Sequence, residues 1–199
     1  MEIVELTADT WPALVALFGP GGAQAGCWCT WFLQSPKQMS ANGSAVNREL
    51  LHDRVRAGVP TGLLAMSAEG AAAGWIAVAP WPTYPRLGST KAAKPVDPAE
   101  DLTDVWSVTC LFVHRTARRT GLTSELLAAA VDYAAGRGAR ALEGYPVDTG
   151  GEKQHVGGLY HGTLTGFLAA GFHAVERRGK QVLVRRNVSA PVSENHPVG

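Results

Sequence analysis

A buried strand that leads directly into an arginine-rich turn and then an amphipathic helix most constrains the fold of this chain. The strand ends with Leu111-Phe112-Val113, the turn contains Arg115, Arg118 and Arg119, and the helix begins near Gly121. The first amides of a helix have no acceptor within it, and the helix dipole adds partial positive charge there. Because glycine also lets a ligand approach the backbone, the segment is typical of a phosphate or pyrophosphate site. A solvated surface turn is the alternative.

The spacing of this segment is specific. Neither a P-loop nor a Gly-x-Gly-x-x-Gly turn after a strand occurs in the sequence. The run Arg118-x-x-Gly121-x-Thr123 instead resembles the acyl-coenzyme A signature Gln/Arg-x-x-Gly-x-Gly/Ala of the GCN5-related N-acetyltransferases, the GNAT family. The preceding strand, the following helix and the late run Phe167–Phe172 also resemble this family. Thr123 departs from the motif, so its side chain must turn away from the pyrophosphate or hydrogen-bond to it.

Composition and element order predict the fold class. The chain has 199 residues, of which 46% are hydrophobic and 18% charged, as expected for one globular domain. We place that domain at residues 1–187 and expect a disordered tail at 188–199. Strands and helices follow one another as in an α/β (α+β) protein, with strands 104–113 and 139–147 parallel across a crossover helix. The resemblance implies a mixed, largely antiparallel sheet of about six to seven strands, a central parallel pair that splays, and helices on both faces.

Local patterns predict the individual elements. We expect helices from residue 9 or 10 to 18 and over 46–57, 122–135 and 163–170, and strands over 1–6, 63–67, 72–79, 104–113, 139–147, 172–178 and 181–186. Glycine pairs at 150–151 and 157–158 suggest a mobile link. The proline-rich segment 80–103 is long for a compact domain, and it is interpreted as a lid or pocket wall or as a plain surface loop.

Charge and cysteine content limit the compartment and partners. The net charge is +1, and neither a basic stripe for nucleic acid nor a membrane-spanning apolar run is present. The acidic start lacks a signal peptide, and three cysteines do not suggest a disulfide framework, so a cytoplasmic protein is expected. Cys27-Trp28-Cys29 alone is a weak zinc motif, and we expect no metal. We expect a monomer or homodimer.

The resemblance also implies a co-substrate site. Acetyl-CoA is the expected co-substrate, with its pantetheine arm between the splayed strands and its pyrophosphate on amides from Arg119 to Ser124. The implied coenzyme-binding residues are Leu111, Phe112, Val113, Arg118, Arg119, Thr120, Gly121, Leu122, Thr123 and Ser124.

Catalytic and acceptor residues are harder to assign. The position where the family has a proton-donating tyrosine corresponds to Phe167, so Tyr160 and His161 are the substitutes, although both also fit packing, surface or capping roles. Glu143, a carboxylate in an apolar strand, is either a catalytic base or half of a structural salt bridge. Candidate acceptor-binding residues are Trp28, Trp31, Tyr84, Tyr145 and Asp148.

These features together predict a function. We expect an acetyl-CoA-dependent N-acetyltransferase that acts on a primary amine of a small molecule, such as an amino-acid-like metabolite or an amine-bearing antibiotic. A peptide or protein N-acetyltransferase of the same fold is one alternative. A non-catalytic coenzyme A-binding sensor is another, suggested by Phe167.

Overall fold

The structure, a computed structural model, describes residues 1–150 and 160–188. Its strands are β1 Glu2–Glu5, β2 Gly62–Met66, β3 Ala72–Pro80, β4 Val105–Val113, β5 Ala141–Gly144, β6 His173–Arg178 and β7 Gln181–Asn187. They form one sheet in the order β1-β2-β3-β4-β5-β7-β6, in which only β4 and β5 are parallel. The predicted mixed, largely antiparallel sheet is therefore confirmed. The link expected between the two glycine pairs falls on residues 151–159, which lie outside the described residues, as do residues 189–199 of the tail expected at 188–199. Val188 is part of the fold, since its amide donates to the Arg140 carbonyl (2.9 Å).

Four helices flank the sheet in the described part of the chain: α1 Trp11–Phe18, α2 Pro36–Arg56, α3 Leu122–Ala135 and α4 Leu164–Ala169. The helix Pro36–Arg56 is interrupted by a kink at Gly43, whose φ of +67° and ψ of 176° are non-helical. The part after Gly43 corresponds to the helix predicted over 46–57. The part before it was not predicted, and it begins at Pro36 because Ser35 and Gln38 form a reciprocal capping box. No helix in the described ranges is long and apolar enough to cross a membrane.

The sheet is covered on both faces, as expected, and β3 shows why. Trp75 and Ala77 pack with α1 and α2, whereas Ile76 and Val78 pack with the apolar stripe of α3. Successive side chains of a strand point to opposite faces, so a strand buried on both sides is apolar throughout.

The parallel pairing of β4 and β5 ends early. It covers only Val105–Val108 and Ala141–Gly144. Beyond it, Thr109 is the extra residue of a bulge in β4, and Pro146 follows β5 without a backbone donor. The segment 160–163 enters the resulting gap. Its Tyr160 carbonyl accepts from the Leu111 amide (2.6 Å), and its Gly162 carbonyl accepts from the Val147 amide (3.0 Å).

The proline-rich segment is anchored to the sheet rather than extended over solvent. Tyr84, Leu87 and Ala93 are buried against side chains of the sheet and of the loop before α2. The Arg178 guanidinium donates to the carbonyl of Ala92 (3.1 Å). The segment therefore forms a second layer against this part of the sheet.

Close packing under the gap yields a first prediction. A Cβ at Gly144 would lie 2.3 Å from Cε1 of the fully buried Phe167. Gly144→Ala should therefore lower the free energy of unfolding by about 1–3 kcal/mol, the usual cost of overpacking. Gly21→Ala is the control, because no atom lies within 4 Å of that Cβ and φ is not positive there. Equal urea midpoints for the two variants would contradict this close packing.

Candidate active site

A cavity of about 330 Å³ opens between the end of β4 and the start of α3 and α4. We call it the strand-end cavity. It is lined by Leu111, Phe112, Val113, Arg118, Thr123, Ser124, Tyr160, Gly162, Thr163 and Gly166. Six of these ten are among the residues that the sequence assigned to the coenzyme, namely Leu111, Phe112, Val113, Arg118, Thr123 and Ser124.

The N-terminus of α3 forms one end of this cavity. Gly121 caps the helix in the left-handed conformation (φ +90°), and a Cβ added there would meet no atom within 4 Å, so the space before the helix is open. Among the described residues, the amides of Leu122 and Thr123 donate to no backbone carbonyl, whereas the Ser124 amide donates to the Gly121 carbonyl (2.9 Å). The Leu122 side chain is buried in the core, so that residue offers only its backbone here. Free amides, the helix dipole and open space fit an anionic group.

The backbone of β4 forms a second side of the cavity. The His114 amide donates to the carbonyl of Ala73, a residue of β3. Since antiparallel ladders alternate, Phe112 directs its backbone groups to β3, while Leu111 and Val113 direct theirs into the gap. The Leu111 amide is bonded to Tyr160, and the Val113 carbonyl accepts from Nε of Arg118 (3.2 Å). Phe112 therefore lines the cavity with its side chain rather than with its backbone groups.

Two other predicted coenzyme residues, Arg119 and Thr120, do not line the strand-end cavity. Arg119 is exposed and has φ +66°, a conformation that is uncommon for a side chain other than glycine. Thr120 donates its hydroxyl to the Ala117 carbonyl (2.8 Å) and faces the opposite side of the turn. Thr123, which departs from the family motif, lines the cavity, so its hydroxyl is available to a ligand.

A second cavity, of about 320 Å³, lies on the other side of Tyr160. We call it the cysteine cavity. Its lining consists of Gln24, Ala25, Cys27, Cys29, Trp31, Phe32, Met39, Thr109, Cys110, Tyr160 and His161. Tyr160 lines both cavities, so the two meet at this residue.

His161 is held by the bulge in β4. Its Nδ1 lies 3.0 Å from the Thr109 carbonyl oxygen, and a carbonyl only accepts, so Nδ1 carries the hydrogen and Nε2 keeps a free lone pair. The edge of Phe32 packs on the ring (centroids 5.9 Å apart). Burial lowers the pKa of His161 below its ordinary value of 6.5, so the imidazole is neutral near neutral pH.

Tyr160 stands at the junction of the cavities. Its ring stacks on Phe112 with centroids 6.2 Å apart and an interplanar angle of 14°. Burial raises the pKa of Tyr160, so its hydroxyl keeps its proton. The sequence named both Tyr160 and His161, and the structure brings them together.

All three cysteines of the chain line the cysteine cavity as free thiols. The Cys29 sulfur lies 3.0 Å from the Cys110 sulfur and accepts from the Trp75 indole at 3.3 Å. A hydrogen bond with Cys29 and burial raise the pKa of Cys27, and burial raises the pKa of Cys29. In the described ranges no three His, Cys, Asp or Glu side chains are arranged to hold a metal ion.

Glu143 and Tyr145 lie outside both cavities. The Glu143 carboxylate pairs with the Arg185 guanidinium at 2.6 Å, and that guanidinium also binds Glu100. Burial raises the pKa of Glu143, and the neighbouring Arg185 opposes this. Tyr145 is fully buried and bonded to Ser107 (3.0 Å). The salt-bridge interpretation of Glu143 is the one that its surroundings support.

Of the other four predicted acceptor residues, one lines the cysteine cavity and three do not. Trp31 lines the cysteine cavity and is 43% exposed. Trp28 is buried and its indole binds Ser44, while Tyr84 is buried and bonded to Thr109. Asp148 pairs with Arg177 (2.6 Å) at the surface. Four of the five predicted acceptor residues therefore do not line the cysteine cavity, namely Trp28, Tyr84, Tyr145 and Asp148. They were predicted from residue type, which does not indicate the face of the sheet on which a side chain lies.

Sequence reasoning missed several lining residues. Phe32, Met39, Thr109 and Cys110 line the cysteine cavity, and Thr163 and Gly166 line the strand-end cavity. Cys27 and Cys29 also line the cysteine cavity, and their Cys-x-Cys pattern was the available signal for this wall. Phe167, which the resemblance aligns with the family tyrosine, is fully buried against Phe172 and does not line either cavity.

Comparisons with known proteins identify the family and the fold. The chain matches the model of the acetyltransferase (GNAT) family over residues 28–155. A search of curated proteins found no match. Among solved structures, the ribosomal-protein-alanine N-acetyltransferase of Brucella melitensis is similar, with 17% identity, a TM-score of 0.54 and coverage of 94% of this chain and 100% of that one.

Two further similar structures contain a coenzyme. The PaiA N-acetyltransferase of Thermoplasma acidophilum, in complex with coenzyme A, has 13% identity and a TM-score of 0.55, covering 94% of this chain and 98% of that one. The phosphinothricin acetyltransferase of Sinorhizobium meliloti, in complex with AcCoA, has 14% identity and a TM-score of 0.54, covering 100% and 94%. At these identities the likeness shows the fold. With the family model covering well over half of its length, the chain is an acyltransferase of the GCN5-related N-acetyltransferase (GNAT) family.

Proposed function

We propose that the protein transfers the acetyl group of acetyl-CoA to a primary amine of a small molecule. The observation that carries the proposal is the meeting of two cavities at Tyr160, one with free helix amides and the other with a neutral histidine. Acetyl-CoA supplies an activated acyl group as a thioester. The cysteine cavity, at about 320 Å³, is of a size suited to a compact acceptor rather than to a protein tail.

The strand-end cavity is proposed to bind the coenzyme. Amides of Leu122 and Thr123, with the hydroxyl of Thr123, face the space where a pyrophosphate fits, and Arg118 and Arg119 add positive charge nearby. The Val113 backbone faces the gap where a pantetheine arm fits. The Leu111 amide is bonded to Tyr160, so it serves the same arm only when that bond opens.

His161 is proposed as the general base. An amine attacks only when its nitrogen has a free lone pair, and Nε2 of the neutral His161 can take the proton that the amine loses. As the new C–N bond forms and the C–S bond breaks, the departing sulfur needs a proton. The protonated Tyr160 hydroxyl, at the junction of the cavities, is the proposed donor. Glu143 has no role in this proposal.

The coenzyme site is tested at Gly121. Gly121→Glu places a negative charge before the free amides, and we expect the Kd for acetyl-CoA, measured by calorimetry, to rise more than about tenfold. Gly138→Glu is the matched control, since Gly138 lies at the other end of the same helix with φ +82° and open space. It carries the same left-handed strain and should bind normally. Equal affinities of the two variants would overturn the pyrophosphate assignment.

The base is tested at His161. His161→Gln removes the imidazole while its amide can still bond to Thr109, and we expect kcat to fall about 100-fold with acetyl-CoA affinity nearly unchanged. The base works when deprotonated, and burial lowers its pKa, so the acid limb of kcat/KM should lie below pH 6.5 and vanish in the variant. An unchanged kcat would remove His161 from the mechanism.

The structural interpretation of Glu143 is tested separately. Glu143→Gln weakens the buried contact with Arg185, so the free energy of unfolding should fall by about 1–3 kcal/mol. Turnover should stay within about twofold, since the residue lies outside both cavities. Asp53→Asn, in an exposed pair with Arg56, is the control and should barely change stability. A large loss of kcat in Glu143→Gln would restore the catalytic interpretation.

A further inference from the structure

We propose that the acceptor amine carries an aromatic ring and that this ring binds in the cysteine cavity. The inference rests on the proposed function, because it names the class of amine that the same site takes. It follows from the wall of the cavity, in which four sulfur-bearing residues, Cys27, Cys29, Cys110 and Met39, face the same space as three aromatic rings, Trp31, Phe32 and Tyr160.

Hydrogen bonds hold the sulfur atoms of Met39 and Cys29 in position. The Met39 thioether accepts from the Asn47 amide at 3.3 Å, and Asn47 is itself buried and bonded to the Gly26 carbonyl. The Cys29 sulfur accepts from the Trp75 indole. Sulfur atoms interact favourably with the edges of aromatic rings, and fixed atoms lose little entropy when a ligand arrives. A polarizable wall of this kind favours an aromatic ring over a saturated one of the same size.

The wall is also uncharged. Hydrogen bonding and burial raise the pKa of Cys27, and burial raises that of Cys29, so both thiols stay protonated near neutral pH. In the described part of the chain, no Asp, Glu, Lys or Arg lines the cavity. A polyamine or a polycationic antibiotic would lose its hydration here without gaining an ion pair from these residues, which is costly.

The volume of the cysteine cavity is suited to an acceptor with a small ring system. An apolar cavity of about 150 Å³ holds benzene. The cysteine cavity, at about 320 Å³, has room for one substituted ring and a short arm. His161, which is bonded to Thr109 and follows Tyr160 in sequence, forms a polar end of this cavity. An arm that carries the amine can therefore reach the proposed base close to the junction with the strand-end cavity.

The test compares amines that differ only in the ring. Steady-state kinetics with acetyl-CoA should give 2-phenylethylamine a kcat/KM about tenfold above that of 2-cyclohexylethylamine, and both should exceed spermidine and a lysine-containing peptide. Equal values for the two ring compounds, or preference for spermidine or the peptide, would overturn the inference.

A variant that removes one sulfur atom tests whether sulfur contributes to the preference for an aromatic ring. Met39→Leu keeps the volume and removes the thioether, so the phenyl-to-cyclohexyl ratio should fall about threefold. Met66→Leu, in β2 and outside the cavity lining, should leave the ratio unchanged. An unchanged ratio in Met39→Leu counts against a role for sulfur in ring recognition.

Calorimetry separates this inference from the proposed function. If acetyl-CoA binds and a non-aromatic amine is preferred, the function stands and the aromatic class is wrong. If acetyl-CoA does not bind and no amine is turned over, both fail. If acetyl-CoA binds without turnover of any amine, binding of N-acetyl-2-phenylethylamine to the coenzyme A complex decides: measurable binding supports the ring site and its absence overturns it.

Discussion

The early end of backbone pairing between β4 and β5 is the constraint on which the rest of the site depends. Two local defects produce it: the extra residue Thr109 in one strand, and Pro146, which lacks an N–H, after the other. Each strand then has backbone groups without a sheet partner, and buried groups of this kind need one. The segment 160–163 supplies partners to both strands, and the space left around it forms the two cavities.

This arrangement makes Tyr160 and His161 a single unit. The backbone of Tyr160 bonds to Leu111, and the ring of His161 bonds to the carbonyl of the bulged Thr109. Burial shifts the two pKa values in opposite directions, and both shifts favour the uncharged form. The backbone of β4 therefore holds a protonated tyrosine and a neutral histidine side by side, the two groups that the proposed mechanism uses as proton donor and base.

Buried ionisable groups elsewhere show how context decides their role. The carboxylate of Glu143 interrupts an apolar strand, a pattern that fits a catalytic base and a salt bridge equally well. Its partner Arg185 lies on β7, forty-two positions along the chain, and only the pairing of β5 with β7 brings them together. The three thiols likewise meet because Cys110 lies on β4 and the other two on the loop before α2.

The sequence alone determined most of the elements and six of the ten residues that line the strand-end cavity, because periodicity, capping residues and the Arg118-x-x-Gly121-x-Thr123 spacing act over a few residues. It predicted α3 to the residue, both ends of the central strand to within one residue, and the parallel pair. It did not identify the cysteine cavity: of the five predicted acceptor residues, which were chosen by residue type, only Trp31 lines it. That cavity is built from loop residues and one bulge that are distant in sequence, and which side of the sheet each residue faces is decided only when the tertiary packing forms.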